Sequence, residues 1–296
     1  MASVKLKKID KAAYVFMFPA IIIVLLFIIY PSVWAFVVSF KEGSIIAFGR
    51  KGVIAAGHWV GLKNYLELCT DTLFLKSLLN TLYFSLIFIP LTMFASLWLA
   101  IVLNKNIIIK SFLKSIFFMP YVVSIVSTCL IFLLLFSSET GFINGVLSYL
   151  NIKGPKWLSD STYAMPVVAF MSSWRRVGYF MLLYIAALQS IPEDLYEAAA
   201  IDGTNSFQNF RFITWPMLKK INFIIFILLL VNCFNIFQEI YVMTGGGPGD
   251  STVTVSYLIY NEAFTYFRIG KAAAMSYVLF FIIIIISVVQ SKFVKE

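Results

Sequence analysis

Charge is scarce in this chain. Only 12% of its 296 residues are charged and 61% are hydrophobic, for a mean hydropathy of +0.91. A water-soluble domain carries about 25% charged residues, so that class is excluded. Histidine occurs once, at His58, in a stretch that reads as a solvated loop. Cys69, Cys129 and Cys233 are scattered without ligand spacing, which leaves neither a disulfide framework nor a metal centre. No Gly-x-x-x-x-Gly-Lys-Ser/Thr run is present, and the Gly270-Lys271 pair is followed by Ala, so the chain lacks that cradle for ATP phosphates. There is no Ser/His/Asp constellation in a span, and no Asp or Glu in the middle of any span. Catalytic residues, metal ligands and cofactors are therefore all expected to be none. An ion-coupled secondary transporter, which needs paired halves or broken helices with buried acids, is the weaker alternative.

What the chain has instead is length in apolar runs. Residues 12–40, 77–104 and 115–138 contain no charge, 161–192 is interrupted only by Arg175-Arg176, and 217–240 and 272–291 complete the set. Each is long enough to cross a bilayer, which takes about 20 mostly apolar residues. A backbone inside lipid must satisfy its own hydrogen bonds, so these runs are expected to be helices. The expected fold is an all-α membrane protein with six transmembrane helices and both termini cytoplasmic. A cytoplasmic tail over 1–11 precedes one membrane domain over 12–296. The first run is too long for a signal-peptide core and lacks a small-residue cleavage site, so it is expected to be retained.

Orientation follows the lysines and arginines. One side holds Lys5, Lys7, Lys8, Lys11, Lys105, Lys110, Lys114, Arg211, Lys219, Lys220, Lys292 and Lys295. That side has about twice the Lys/Arg density of the opposite loops and is read as cytoplasmic. The net charge of +9 follows from this bias and suits anionic membrane lipid rather than nucleic acid. Of the outer loops, 41–76 is glycine-rich, with Gly43, Gly49, Gly52, Gly57 and Gly61, and is expected to hold a short helix around 64–73. The loop 139–160 reads as a short amphipathic helix on the membrane surface. Gly245-Gly246-Gly247-Pro248-Gly249 must turn. Trp157, Tyr163, Tyr241 and Tyr257 are expected in an interfacial aromatic belt.

The loop 193–218 is polar and helix-forming between two apolar runs. Ser190 and Glu193 have capping-box spacing with Pro192 in the first turn, so a helix is expected to start there. Ala198, Ala199 and Ala200 offer a small-residue patch for close approach, and Asp202-Gly203 supplies a stop. Thr204 or Asn205 is placed to cap a second short helix ending near Pro216. Such a helix–turn–helix between two spans is a docking knob.

These residues resemble the EAA loop of ABC-transporter permeases: Glu197-Ala198-Ala199, Gly203, Ile213 and Trp215-Pro216, with Trp215 where the family has Leu. Further segments resemble the carbohydrate importer subfamily, in particular the maltose/glycerol-phosphate-type first permease. They are Trp174, Gly178 and Tyr179, then Leu188-Gln189-Ser190-Ile191-Pro192, then Phe234-Asn235-Ile236-Phe237 with Tyr241 through Pro248, and Gly270-Lys271-Ala272-Ala273-Ala274-Met275-Ser276. Asn80-Thr81-Leu82 and Met119-Pro120 also fit. The resemblance implies a multi-pass permease of the cytoplasmic membrane that imports a sugar or sugar derivative. It implies as partners a second permease subunit in a heterodimer, two ABC ATPase subunits and an extracytoplasmic solute-binding protein. It also implies a cytoplasmic EAA coupling helix in the loop 193–216, with Glu197, Ala198, Ala199, Asp202 and Gly203 docking an ATPase. A permease for a non-sugar solute is the alternative.

Arg175 and Arg176 lie deep in their run, where ionisable groups face a cavity or a partner. With Trp174, Gly178, Asn232 and Asn235 they make a candidate substrate pathway, Trp stacking a sugar ring and the polar groups donating to hydroxyls. A carboxylate or phosphate on the solute, or an oligosaccharide, suits two guanidinium groups. Neutralisation by Glu239, or contact with the partner permease or a lipid head group, are the other readings of the pair.

Overall fold

A helix carries all its backbone hydrogen bonds within one segment, which is what a long apolar run requires. The computed structural model is helical along most of each long run, and it describes residues 11–43, 57–105 and 108–294. Most of the expected tail, with Lys5, Lys7 and Lys8, lies outside the described residues, as do Gly49, Gly52 and Lys295. The chain divides into two units, one of residues 1–69 with 259–278 and one of residues 70–258 with 279–296.

In the first unit, α1 (Lys11–Val24) passes through a π turn (Leu25–Ile29) into α2 (Tyr30–Ser39). The Phe16–Ser39 stretch is apolar almost throughout and largely uncovered. Two short antiparallel strands follow, β1 (Lys41–Glu42) and β2 (His58–Trp59), pairing Lys41 with Trp59. α3 (Lys63–Thr70) is the short helix expected near 64–73, seated a few residues earlier. Its Asn64 is buried and donates to the carbonyls of Ser39 and Lys41 at 2.8 and 3.1 Å, which ties the helix to the strand. Glu262 is buried here against Arg268 Nε at 2.6 Å, an internal ion pair that the sequence reading did not foresee.

The second unit is built on α4 (Thr72–Asn104), 33 residues capped by Asp71, whose carboxylate accepts from the amides of Leu73 and Phe74. Its Pro90 lies inside the helix without ending it. α8 (Ala164–Gln189) packs along α4, with Ser96 Oγ donating to the Val177 carbonyl at 3.0 Å. Between them in sequence, α5 (Lys110–Val122) and α6 (Ile125–Leu135) meet at a bend of 96°. The expected straight helix over 115–138 is therefore corrected to a broken one. Pro120 lacks an amide hydrogen, and the break comes at Val123-Ser124, which adopt extended backbone. α7 (Phe142–Tyr149) is the expected surface helix, held by Asn144, which donates to the Ser138 and Pro155 carbonyls and accepts from Trp157 Nε1.

After the loop 190–218 comes α12 (Lys219–Phe234), which ends at Asn235, five residues short of the run's expected end at 240. A short α13 (Gln238–Met243) packs against α6, and the glycine run turns with Gly245 and Gly246 at φ +57 and +86°. α14 (Val255–Tyr260) and α15 (Ile269–Val294) complete the chain. Tyr257 is a correction to the expected aromatic belt: it is buried, its hydroxyl donating to the Gly245 carbonyl at 2.8 Å. By length and composition three of the described helices can cross a membrane, or five if each bent pair is one span, and α8 with its two arginines is not among them.

Gly178 sets how closely α8 meets α5. A Cβ there would overlap the Phe117 carbonyl, a backbone atom that no side-chain rotation moves aside. Gly178→Ala is thus expected to lower the melting temperature of the detergent-solubilised protein, and Gly178→Val to lower it further, in line with overpacking penalties of about 1–3 kcal/mol. Equal melting curves for all three proteins would show that the two helices are free to separate.

Candidate functional site

The loop between α8 and α12 is the first candidate. α9 (Glu193–Ile201) begins with two acids, Glu193 and Asp194, where a helix N-terminus favours negative charge. Its cap residue is Pro192, which makes no side-chain cap bond. The expected capping box is displaced: Ser190 ends α8, and its hydroxyl donates back to the Ala187 carbonyl at 2.7 Å. A capping box does form, one helix later, where Asn205 and Gln208 exchange bonds of 2.8 and 2.9 Å at the start of α10 (Ser206–Asn209). The α9 stop is as expected. Gly203 sits at φ +75° with open space around it, so the backbone conformation, not crowding, calls for glycine. The Thr204 amide reaches back across it to the Ala199 carbonyl at 3.1 Å.

Glu197, Ala198, Ala200 and Asp202 are exposed, whereas Ala199 is buried. The small-residue patch is therefore presented by Ala198 and Ala200. Ile201 at 88% exposure and Phe207 at 68% stand beside it, and the sequence reading passed over both. An apolar residue next to an Asp-Gly stop was the available signal. Tyr196 Oη lies 2.8 Å from Thr214 Oγ1, pinning α9 to the π turn (Phe210–Thr214) that leads through α11 (Trp215–Met217) into α12. The arrangement is an exposed helix–turn–helix with α9 tied to Thr214 at the approach to α12.

The second candidate surrounds the two arginines. Arg175 is 11 residues from the start of α8 and 14 from its end, about 16 and 21 Å at 1.5 Å per residue. Their fates differ. Arg176 Nη2 donates to Glu239 Oε1 at 3.0 Å, with side chains 12% and 3% exposed, and its guanidinium lies over the Phe88 ring at 5.5 Å. Arg175 Nη2 reaches only the Tyr121 carbonyl, at 3.4 Å, with its guanidinium 5.7 Å from the Tyr121 ring. Its Nε is buried without a hydrogen-bond partner. Tyr121 in turn stacks on Tyr179 at 4.8 Å. Trp174 is half exposed, rests on Phe132 and borders an apolar groove of about 330 Å³ with Leu91, Ile116, Phe117 and Pro120. Gly178 faces α5, as described above. Asn232 and Asn235 donate to the Leu228 and Val231 carbonyls of their own helix, at 2.7 and 3.0 Å. The arginines are thus brought to Glu239 and to the aromatic pair, while the two asparagine bonds run along α12.

Comparison with known proteins identifies the architecture. Residues 73–295 match the family model described as binding-protein-dependent transport system inner membrane component. The chain is 35% identical to the probable ABC transporter permease protein YurN of Bacillus subtilis, over 95% of each chain. It is 32% identical to the trehalose/maltose transport system permease protein MalF of Thermococcus litoralis, over 95% of this chain and 93% of that one. Among solved structures, a chain of the bacterial alginate ABC transporter in complex with an alginate-loaded periplasmic protein aligns with a TM-score of 0.81. That match is 21% identical and covers 95% of this chain and 93% of that one.

The Arg176–Glu239 pair makes a prediction of its own. Removing one partner leaves the other charge buried and unpaired, which costs about 3–5 kcal/mol, whereas removing both costs far less. Arg176→Leu and Glu239→Leu are each expected to depress the melting temperature strongly, and the double variant to regain most of the loss. Additive losses in that cycle would mean that the two side chains do not interact.

Proposed function

This chain belongs to the family of binding-protein-dependent transport system inner membrane components, and from that premise we propose how its parts divide the work of import. It is the membrane permease of an ATP-binding-cassette importer for a sugar or sugar derivative, assembled with a second permease and receiving its solute from an extracytoplasmic binding protein. MalF, at 32% identity, belongs to a trehalose/maltose system, which supports the sugar class. ATP hydrolysis falls to separate ATPase subunits, since the chain carries no Gly-x-x-x-x-Gly-Lys-Ser/Thr loop.

Six crossings account for the apolar runs: Phe16–Ser39, α4, the bent pair α5–α6, α8, α12 and α15. An even number returns both termini to one side, and the lysine and arginine distribution makes that side cytoplasmic. The loop between α8 and α12 then faces the cytoplasm. Glu197, Ala198, Ala199, Asp202 and Gly203 form the ATPase-coupling element, with Ile201 and Phe207 as its apolar anchors. Trp174, Arg175, Gly178, Asn232 and Asn235 mark the substrate pathway, and Arg176, held by Glu239, braces it from the side.

The observation that carries this reading is the exposed, capped α9 with Ile201 at its tip, a surface helix whose apolar end has no place in water. It enters a cleft of the ATPase and moves with it. The solute path opens and closes as α8 and α12 follow.

Glu197→Lys, Ile201→Asp and Gly203→Pro are each expected to abolish uptake and binding-protein-stimulated ATP hydrolysis in reconstituted vesicles, while the chain still inserts and pairs with the second permease. The first two put a charge where the docking surface is complementary, and the third denies the backbone its φ of +75°. Wild-type transport by all three would remove the coupling role from this loop.

A further inference from the structure

The charge balance at the middle of α8 is unequal. Two guanidinium groups and one carboxylate meet there, and the carboxylate is taken: Glu239 is buried against Arg176 at 3.0 Å. Arg175 has five N–H donors, of which one reaches a carbonyl at 3.4 Å, while its Nε is buried without an acceptor. No acidic side chain among the described residues is paired with it in an ion pair. A charged group at this depth is costly unless an anion or water cavity meets it. The two arginines that the sequence offers as one pair are therefore two residues with separate tasks.

We propose that Arg176 is structural and that Arg175 alone is the specificity-determining residue, binding a carboxylate or phosphate carried by the sugar in transit. This rests on the reading of the chain as a sugar-importer permease. Several features favour a sugar anion at this point. An aromatic ring lies against the guanidinium: Tyr121, itself stacked on Tyr179. The stacked tyrosine pair holds the guanidinium in place from one side, which leaves its remaining donors to an acidic substituent. Arg175 is only partly buried, and its bond to the Tyr121 carbonyl is solvent-exposed, which leaves Nη2 within reach of an incoming solute. The depth argues against a lipid phosphate, which sits about 15 Å from the bilayer centre, whereas Arg175 lies near the middle of a 26-residue helix. An Arg fork also matches a carboxylate or phosphate bidentately, which a neutral hydroxyl cannot reproduce.

The proposal makes Arg175 act on translocation and not on assembly. It also makes Arg176 do the reverse. The cognate binding protein is purified with its natural sugar, which is identified by mass spectrometry. That same sugar is used for uptake into vesicles holding the full transporter. The sugar is expected to carry a carboxylate or phosphate. Arg175→Gln is expected to assemble normally and to leave the KM for loaded binding protein unchanged. Its maximal uptake rate is expected to fall about tenfold, the loss of one charge-assisted hydrogen bond. Arg175→Lys, which keeps the charge but not the fork, should recover part of the rate. Arg176→Gln should instead reduce the yield of intact complex.

A neutral sugar in the binding protein overturns the proposal while leaving the permease reading in place. So does an Arg175→Gln transporter with wild-type rate. Failure of Arg175→Gln to assemble with the second permease would assign Arg175 to an acid of that subunit, which also overturns it. Absence of uptake by the wild-type complex would instead sink the permease reading itself.

Discussion

A buried peptide group has no water to turn to, and the second unit is organised around the places where its helices end inside the packed protein. α12 stops at Asn235, and the carbonyls it releases are met by side chains. Thr254 Oγ1 donates to the Ile236 carbonyl at 3.0 Å, and Ser256 Oγ donates to that of Phe234. The segment supplying these hydroxyls has its own backbone satisfied by the start of α4. Thr81 Oγ1 accepts from the Val255 amide, Asn80 donates to the Asp250 and Val253 carbonyls, and Lys76 Nζ to that of Gly249. A buried backbone group left without a partner costs about 1–3 kcal/mol, so the non-helical stretch is held there by the polar side chains that reach it. This is also why Thr81, Thr252 and Thr254 are buried in an otherwise apolar protein.

That constraint separates what could be read from the sequence from what could not. Run lengths and the absence of charge located the helices well, because hydrophobic transfer is summed over some twenty residues and tolerates local exceptions. They were blind to the breaks, which depend on partners far away in the chain. Val123 is followed by Ser124, and Ile236-Phe237 stand between Asn235 and Gln238, but single polar residues of this kind also occur inside α4, so they do not by themselves announce that a helix has ended. Pro120 was visible and gave a reason to suspect the first break, yet Pro90 sits inside α4 without ending it. Proline alone does not decide such a question.

Motif spacing behaved in the same way. Gly203 was legible because its positive φ is a demand made by one residue on itself. The capping box was misplaced, since Ser190-x-x-Glu193 and Asn205-x-x-Gln208 both satisfy the pattern. Only the three-dimensional end of α8 decides between them, because Ser190 is already engaged with the Ala187 carbonyl. Arg175 and Arg176 form the sharpest case. Adjacent residues on a helix point about 100° apart, so a doubled arginine is never one site. Sequence could show that Glu239 was available to the pair, and it left the substrate and ion-pair readings open. Which arginine the acid chose followed from the break before α13, which brings Glu239 to the face of α8 that Arg176 occupies.

The ion pair and the loop between α8 and α12 are joined by a chain of contacts. α8 leaves the pair at Arg176, descends to Gln189 and passes into α9. Tyr196 straps α9 to Thr214, from which the chain re-enters through α12, and α13 carries Glu239 back to Arg176. Halfway along, Tyr184 Oη donates to Asn222 Oδ1 at 2.8 Å, joining α8 to α12 directly. The chain from 176 to 239 is thus a closed ring with three cross-ties: the ion pair at one end, the tyrosine–threonine strap at the other, and the tyrosine–asparagine bond between them. In the proposed role, an ATPase that displaces α9 pulls on α8 and α12 together, because these three ties join them. Arg175 sits on this ring beside the ion pair that closes it. Under the proposed roles, a solute anion held at Arg175 lies on the same tied segment as the helix that docks the ATPase.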